Sequence, residues 1–341
     1  MGIDKREKYS KSLKRQIYEK IRSMEAFGES KHKAKTDSTL EGKIFSFSTE
    51  KAYLEHLNLF AKWMSETHPE VTTLKKARKY SLEWLRAQEE TGKYSAWTMH
   101  LKGKAINKLF NITPDDRLYY DPPVRHRRDI KRSRLEAERD HHFSTERNRE
   151  FINFCCGTGL RRAGISSIRG RDLWSAEKVK DEIERISAIP EAARSAEDKI
   201  ILTICNDTTL FQGIPKYFIH VKEKGGRYRL APIIGDHADE IVDHMKKCQP
   251  DEKVWKSVHT QADIHSYRAD YANVLYDLYA RPIETIPFDR INSRTGKKFQ
   301  SEVYVCRGEF KGRRFDKKAM LIVEKALGHN SLHTFASNYA R

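Results

Sequence analysis

The sequence predicts a mainly α-helical protein with a small β-sheet, in which a helical region precedes a mixed α/β region. Three observations carry this expectation. Apolar residues between Thr49 and Phe110 recur at three- and four-residue steps, the stripe of amphipathic helices. The stretch YFIHVKEKGGRYRLAPII (217–234) alternates about a glycine pair, as a β-hairpin does. Later segments return to helical spacing, and 341 residues are enough for two domains that each bury a core.

Taken in order, residues 1–45 form a basic N-terminal segment of unassigned role, with a weak helix within residues 8–26 and a flexible connection, GESKHKAKTDSTLEGK, at its end. A helical domain is expected over residues 46–120. Its first helix carries Tyr53, Leu54, Leu57, Phe60, Trp63 and Met64. The second starts near Thr73, carries Leu74, Ala77, Leu82, Trp84 and Leu85, and stops at Gly92; the third runs from Ser95 to Phe110 with Trp97, Leu101, Ile106 and Leu109. These aromatics read as core. LKKARKY (74–80) and HLKGKAINK (100–108) add cations that suit phosphates or a solvated face. Periodicity fails over residues 112–142, and the Pro pair and basic run of 121–142 read as a linker. In the remaining domain, 143–341, Ser144 or Thr145 can cap a helix through Phe154. The hairpin turns at Gly225 and Gly226, and helices are expected over 236–248, 263–280 and 316–327.

Composition narrows the partner. The 65 Lys and Arg against 48 Asp and Glu leave a formal charge of +17, which points to a polyanion, nucleic acid ahead of an anionic membrane surface. No apolar run is long enough to span a bilayer and the N-terminus lacks a signal-peptide core, so the chain reads as cytoplasmic, without a membrane partner. Five scattered cysteines without a C-x-x-C pair read as reduced thiols, and no carboxylate pair or His cluster at ligand spacing supports a metal-dependent nuclease.

Five basic groups stand in separate short motifs: Arg161 after TGL, Lys224 at the hairpin turn, His265 and Arg268 in IHSYRADYA, and His329 in LGH. Singly, each reads as a surface cation or a structural histidine. Together they suit phosphoryl transfer. The pentacoordinate state carries extra negative charge, which two guanidinium forks match bidentately, and Arg161 and Arg268 can fill those places. Lys224 can protonate the departing oxygen as general acid, and His265 and His329 can share the nucleophile's proton. Tyr339 completes the set as the nucleophile; a tyrosine is a poor nucleophile unless neighbouring cations activate it.

The ordered set TGLR, K-G-x-R-x-R, H-x-x-R, LGH and a tyrosine one helix later, over residues 158–339, resembles the tyrosine recombinase (phage integrase) family, of the mobile-element integrase type. The resemblance implies a core-binding domain and a catalytic domain forming a C-shaped clamp on double-stranded DNA. It implies attack by Tyr339 on a phosphodiester, a 3′-phosphotyrosyl intermediate and strand exchange between two sites by a homo-tetramer. Arg161 and Arg268 would hold the phosphate, Lys224 would act as acid, and His265 and His329 would assist. No cofactor or metal is implied, and an accessory DNA-bending protein is a partner the resemblance admits.

The chain departs from the family pattern in four places. Gly164 stands where an acidic residue is usual, so a contact to the first Arg is missing or supplied elsewhere. Tyr339 lies ten residues after His329, one more than usual, which turns a regular helix by roughly 100° and requires a compensating bend. Residues 282–315 look like an inserted basic hairpin. The chain ends at Arg341, where members usually continue into a segment that docks on a neighbour, so assembly is expected to use other surfaces or a longer chain. Tyr267 and Tyr271 are rival nucleophiles on paper but read as packing. Two other functions fit the same residues: a type IB topoisomerase-like relaxing enzyme, and a catalytically impaired DNA-binding architectural protein.

Overall fold

The structure, a computed structural model, describes residues 12–129, 143–207, 209, 216–223, 227–329 and 331–341. It is mainly α with small antiparallel sheets, and divides into two compact units, Met1–Arg125 and His126–Arg341. The expected linker, 121–142, falls largely on residues outside those described. Among the described residues no helix is long and apolar enough to cross a membrane.

Among the described residues the first unit's elements are helices: α1 (Leu13–Arg22), α2 (Lys31–Thr36), α3 (Phe47–Thr67), the short α4 (Leu74–Ala77), α5 (Ser81–Glu90) and α6 (Ala96–Phe110). Ser12, Ser30, Ser46, Thr73 and Ser95 each accept a hydrogen bond from the backbone N–H three residues on, satisfying a donor the helix start leaves free. Leu57, Phe60 and Met64 of α3 meet Trp84 of α5 and Ile106 of α6 in one core. Ile17 and Ile21 of α1 are fully buried in that core, and Ile44 is tied by hydrogen bonds to Met24 and Ala26. The segment expected to be a flexible connection, 28–43, holds α2 with Ala34 buried, and the stretch expected to be a weak helix forms α1, because two isoleucines four residues apart put an apolar stripe on an otherwise charged helix. Two side chains also differ from expectation. Trp97 is 38% exposed, with the Arg125 guanidinium 4.6 Å over its ring. Lys102, placed among the exposed cations, is fully buried: its Nζ donates to Gln88 Oε1 (2.8 Å) and lies 3.9 Å from the Tyr94 ring. Burial lowers its pKa to about 8.

The second unit holds a three-stranded antiparallel sheet, β1 (Leu173–Ser175), β2 (Tyr217–Glu223) and β3 (Arg227–Pro232), in that order. The β2–β3 ladder runs from Phe218 opposite Pro232 to Glu223 opposite Arg227. Residues 224–226, the expected turn, and with them Lys224, lie outside the described residues. Around the sheet stand α7 (Arg149–Thr158), α8 (Arg162–Ser167), α9 (Ala176–Ser187), α10 (Ala196–Cys205), α11 (Ala238–Lys247), α12 (Ile264–Tyr279) and α13 (Lys317–Leu327). Helix α7 starts after Asn148, later than expected, since Ser144 Oγ instead accepts the Arg147 N–H (3.3 Å) of a preceding turn. Helices α9 and α10 were not anticipated; α10 opens with a capping box in which Ser195 and Asp198 exchange hydrogen bonds. The 282–315 segment makes two short ladders rather than one hairpin, β4 (Arg290–Ile291) with β5 (Lys298–Phe299), and β6 (Val303–Val305) with β7 (Arg314–Asp316).

Helix α12 is the central element, burying Ala269, Tyr271, Ala272 and Leu275 and packing against α7 and α13. Its exit is locked to α13. Arg281 donates to both carboxylate oxygens of Asp316 (2.8 Å each), and Asp316 caps α13 through the Lys318 N–H (2.9 Å). The two helices that carry site residues are thereby held in register.

Candidate active site

Arg268 lies on α12 and is 1% exposed, so each of its guanidinium donors requires an acceptor inside the protein. Nη1 donates to the carbonyl of Gly159, Nη2 to that of Leu327 (2.6 Å) and Nε to the hydroxyl of Tyr339 (3.3 Å). Nη2 also lies 3.4 Å from His329 Nε2. The two carbonyls are free because their helices end there: Gly159 caps α7 and Gly328 caps α13, both in the left-handed conformation (φ +57° and +70°). One side chain thus joins the TGLR, H-x-x-R, LGH and tyrosine segments.

Arg161 follows Gly159 by two residues and is about one-third exposed. Its guanidinium pairs with Glu223, the last residue of β2, whose carboxylate also accepts the Arg161 backbone N–H (3.1 Å) and Arg229 Nη2 (3.0 Å). Burial alone would raise the Glu223 pKa, but Arg229, Arg268 and Arg161 outweigh it and hold the carboxyl at about 2. Arg229, almost fully buried, reaches on to the carbonyl of Ala326 in the last turn of α13. Arg162, the neighbour of Arg161, is spent elsewhere, donating to the carbonyls of His259 (2.7 Å) and Ala262 (2.6 Å).

His329 and the turn that leads to Tyr339 share a second buried carboxylate, Glu324 of α13. Glu324 Oε2 lies 2.6 Å from His329 Nδ1, and Oε1 accepts the N–H of Phe335. With Nδ1 carrying the proton toward Glu324, Nε2 is left as an acceptor facing Arg268. Phe335 opens a π-helical turn, Phe335–Tyr339, closed by the Ala340 N–H donating to the Phe335 carbonyl (2.9 Å) five residues back. This wider turn takes up one more residue than an α-turn, so it absorbs the ten-residue step from His329. The Tyr339 ring ends stacked on His329, centroids 5.6 Å apart at 21°. Asn273 of α12 donates to the Tyr339 carbonyl (2.9 Å), and Arg127 donates to Asn338 Oδ1 (2.7 Å), pinning the turn from two sides.

The structure therefore brings Arg161, Arg268, His329 and Tyr339 together. His265 is exposed at the first turn of α12, one turn before Arg268, and Lys224 lies outside the described residues. Tyr267 and Tyr271 are buried; Tyr271 donates to the Pro232 carbonyl (2.9 Å), and burial raises its pKa. Glu223, Glu324 and Asn273 were missed by sequence reasoning, and Arg229 stood in the K-G-x-R-x-R motif without a role. Glu223 left one trace, an acid next to Lys224 in a basic hairpin; Asn273 left none.

The charge balance of this cluster favours an anionic ligand. Among the described residues, three guanidinium groups (Arg161, Arg229, Arg268) face two carboxylates (Glu223, Glu324), leaving one uncompensated positive charge in a largely desolvated pocket. His329 does not add to it, because burial, with Arg268 and Arg161 beside it, lowers its pKa against the opposing pull of Glu324. A phosphodiester carries the single negative charge that the cluster lacks. Among the described residues no group of His, Cys, Asp or Glu is placed to hold a metal ion.

No family model matches the chain, and no curated protein matches it. Among solved structures it is similar to a crystal structure of XerA recombinase at 13% identity, over 96% of this chain and 94% of that one, with a TM-score of 0.21. A likeness that distant carries no argument, and the chemistry below rests on the side-chain geometry.

Proposed function

We propose that the chain is a site-specific DNA strand transferase that cuts and rejoins DNA through Tyr339. The observation that carries this reading is the Tyr339 hydroxyl held against the buried guanidinium of Arg268, in a pocket with one unbalanced positive charge and a neutral imidazole stacked alongside. Tyr339 Oη attacks phosphorus, its proton passing to His329, while Arg161 and Arg268 stabilise the nonbridging oxygens. The bond to the 5′ oxygen breaks as that oxygen takes a proton, the role assigned to Lys224. The products are a 3′-phosphotyrosyl link and a 5′-hydroxyl. A 5′-hydroxyl from a second duplex then attacks the link, restoring the phosphodiester and the tyrosine, so neither ATP nor a metal is needed. Pairwise exchange between two duplexes calls for four protomers. The charge of +17 supplies the wider DNA affinity, with Lys75, Lys76 and Lys79 among the exposed cations of the first unit.

The test is a pool of singly nicked duplexes of randomised sequence, incubated with the protein in chelator and resolved in detergent. Wild type is expected to form a covalent adduct that maps to Tyr339, and Tyr339→Phe none; an adduct that persists in Tyr339→Phe sinks the assignment. Strand exchange between two selected duplexes, run beside relaxation of a supercoiled plasmid, separates a recombinase from a relaxing enzyme.

A pH dependence follows from His329. Because its pKa is lowered below the ordinary histidine value of ~6.5, the neutral acceptor persists below that pH. Adduct formation should fall as pH drops through a midpoint below ~6.5, and His329→Gln should be slow and lack that acid limb. A midpoint above 6.5, or one retained in His329→Gln, assigns the limb to another group.

A further inference from the structure

Glu223 has no counterpart among the residues that the sequence motifs single out, yet it makes more contacts to the cluster's arginines than any other carboxylate described. Its side chain is 3% exposed and receives the Arg161 guanidinium, the Arg161 backbone N–H and Arg229 Nη2. Across from it stands Gly164 of α8. A Cβ built there would come 3.3 Å from Glu223 Oε1 and 3.4 Å from Val221 Cγ2, so the carboxylate occupies room that a side chain at 164 would need. Position 164 lies one helical turn after Arg161, and its backbone is not in the left-handed region, so it could bear a side chain if that room were empty.

We propose that Glu223 is the positioning residue for Arg161, a carboxylate supplied from the sheet in place of the one absent at position 164. This rests on the strand-transferase reading above. An exposed arginine samples many rotamers, and ordering it at the moment of reaction costs side-chain entropy. Glu223 removes that cost by holding Arg161 through both its backbone and its fork, while the exposed remainder of the side chain stays available to a phosphate. The same carboxylate cancels positive charge, so it opposes DNA binding while favouring the reaction. That opposition separates positioning from simple support of the fold: losing Glu223 should slow the chemical step without weakening DNA affinity. Glu223 also immediately precedes Lys224, so the strand that aims Arg161 carries the assigned general acid as its next residue.

The experiment measures single-turnover adduct rates, duplex affinities and melting midpoints on duplexes selected from the randomised pool. The variants are Glu223→Gln, Glu223→Ala, Gly164→Glu and the double variant Glu223→Ala with Gly164→Glu. Glu223→Gln and Glu223→Ala should slow adduct formation by on the order of 10- to 100-fold, the effect of a misplaced reacting group, with duplex affinity unchanged or tighter. Gly164→Glu alone should also be slow, because two carboxylates then compete for one space. The double variant should be faster than either parent. A Glu223→Gln rate equal to wild type overturns the inference, as does a double variant no faster than its parents or a loss of duplex affinity that accounts for the slower rate. If Glu223→Ala does not fold, with Arg229 left unpaired, Glu223→Gln decides alone. Absence of any adduct from wild type overturns the strand-transferase reading itself, a result distinct from all of these.

Discussion

Arg268→Ala is expected to lower adduct formation by about 10²- to 10⁴-fold and to destabilise the protein by about 2–5 kcal/mol, the larger effect of the two on catalysis. The rate loss follows from its position: no other described cation donates to the Tyr339 hydroxyl. The stability loss follows from what stays behind. The carbonyls of Gly159 and Leu327 lose their donor in a site that solvent does not reach, and an unsatisfied buried acceptor costs about 1–3 kcal/mol. Part of this is offset, because Arg161 and Arg229 no longer repel a third guanidinium. Arg268→Lys should recover the charge but not the fork, since one ammonium cannot reach two carbonyls on different helices and the tyrosine together. It should fold better than Arg268→Ala and react almost as slowly. Urea denaturation and single-turnover rates check both; a lysine variant with near-wild-type rate would mean that charge alone, not geometry, is what Tyr339 needs.

What the sequence made legible follows from the range of each interaction. Helices α3, α5, α6, α12 and α13 write their apolar stripes locally, and serine or threonine caps mark several starts, so periodicity finds them. Helix α1 was read as weak because Lys14, Arg15, Lys20 and Arg22 surround the two isoleucines that bury it. The site behaves the same way. Arg161, Arg268, His329 and Tyr339 stand in short motifs, but the carboxylates that orient them do not. Glu223 acts on a residue 62 positions away, and nothing in KEK distinguishes it from a solvated acid. Gly164 could be read only as a missing acid; that the space above it is filled from β2 is a fact of the sheet's placement. The ten-residue step to Tyr339 demanded some irregularity, and the π-helical turn is its form, secured at one end by Glu324, whose role depends on α13 and the turn meeting.

Gly159→Ala is expected to cost about 2–5 kcal/mol and to slow adduct formation through a residue with no chemistry of its own. Two penalties add. At φ +57° an alanine occupies the left-handed region, at roughly 1–2 kcal/mol. Its Cβ would also fall 2.3 Å from Tyr271 Cδ1, an overlap that requires movement and costs a further ~1–3 kcal/mol. Tyr271 has little freedom to give way, being fully buried with its hydroxyl bound to the Pro232 carbonyl on β3. Any accommodation shifts the Gly159 carbonyl instead, and that carbonyl positions Arg268. Gly235→Ala provides the control, since Gly235 has φ +89° and nothing within 4 Å of a built Cβ, so it carries backbone strain without the overlap. The difference between the two variants in urea denaturation isolates the contact with Tyr271, and equal destabilisation would exclude it. In the TGLR motif the glycine is thus required for close approach of α7 to α12, and the arginine two residues on reaches the site because that approach is possible.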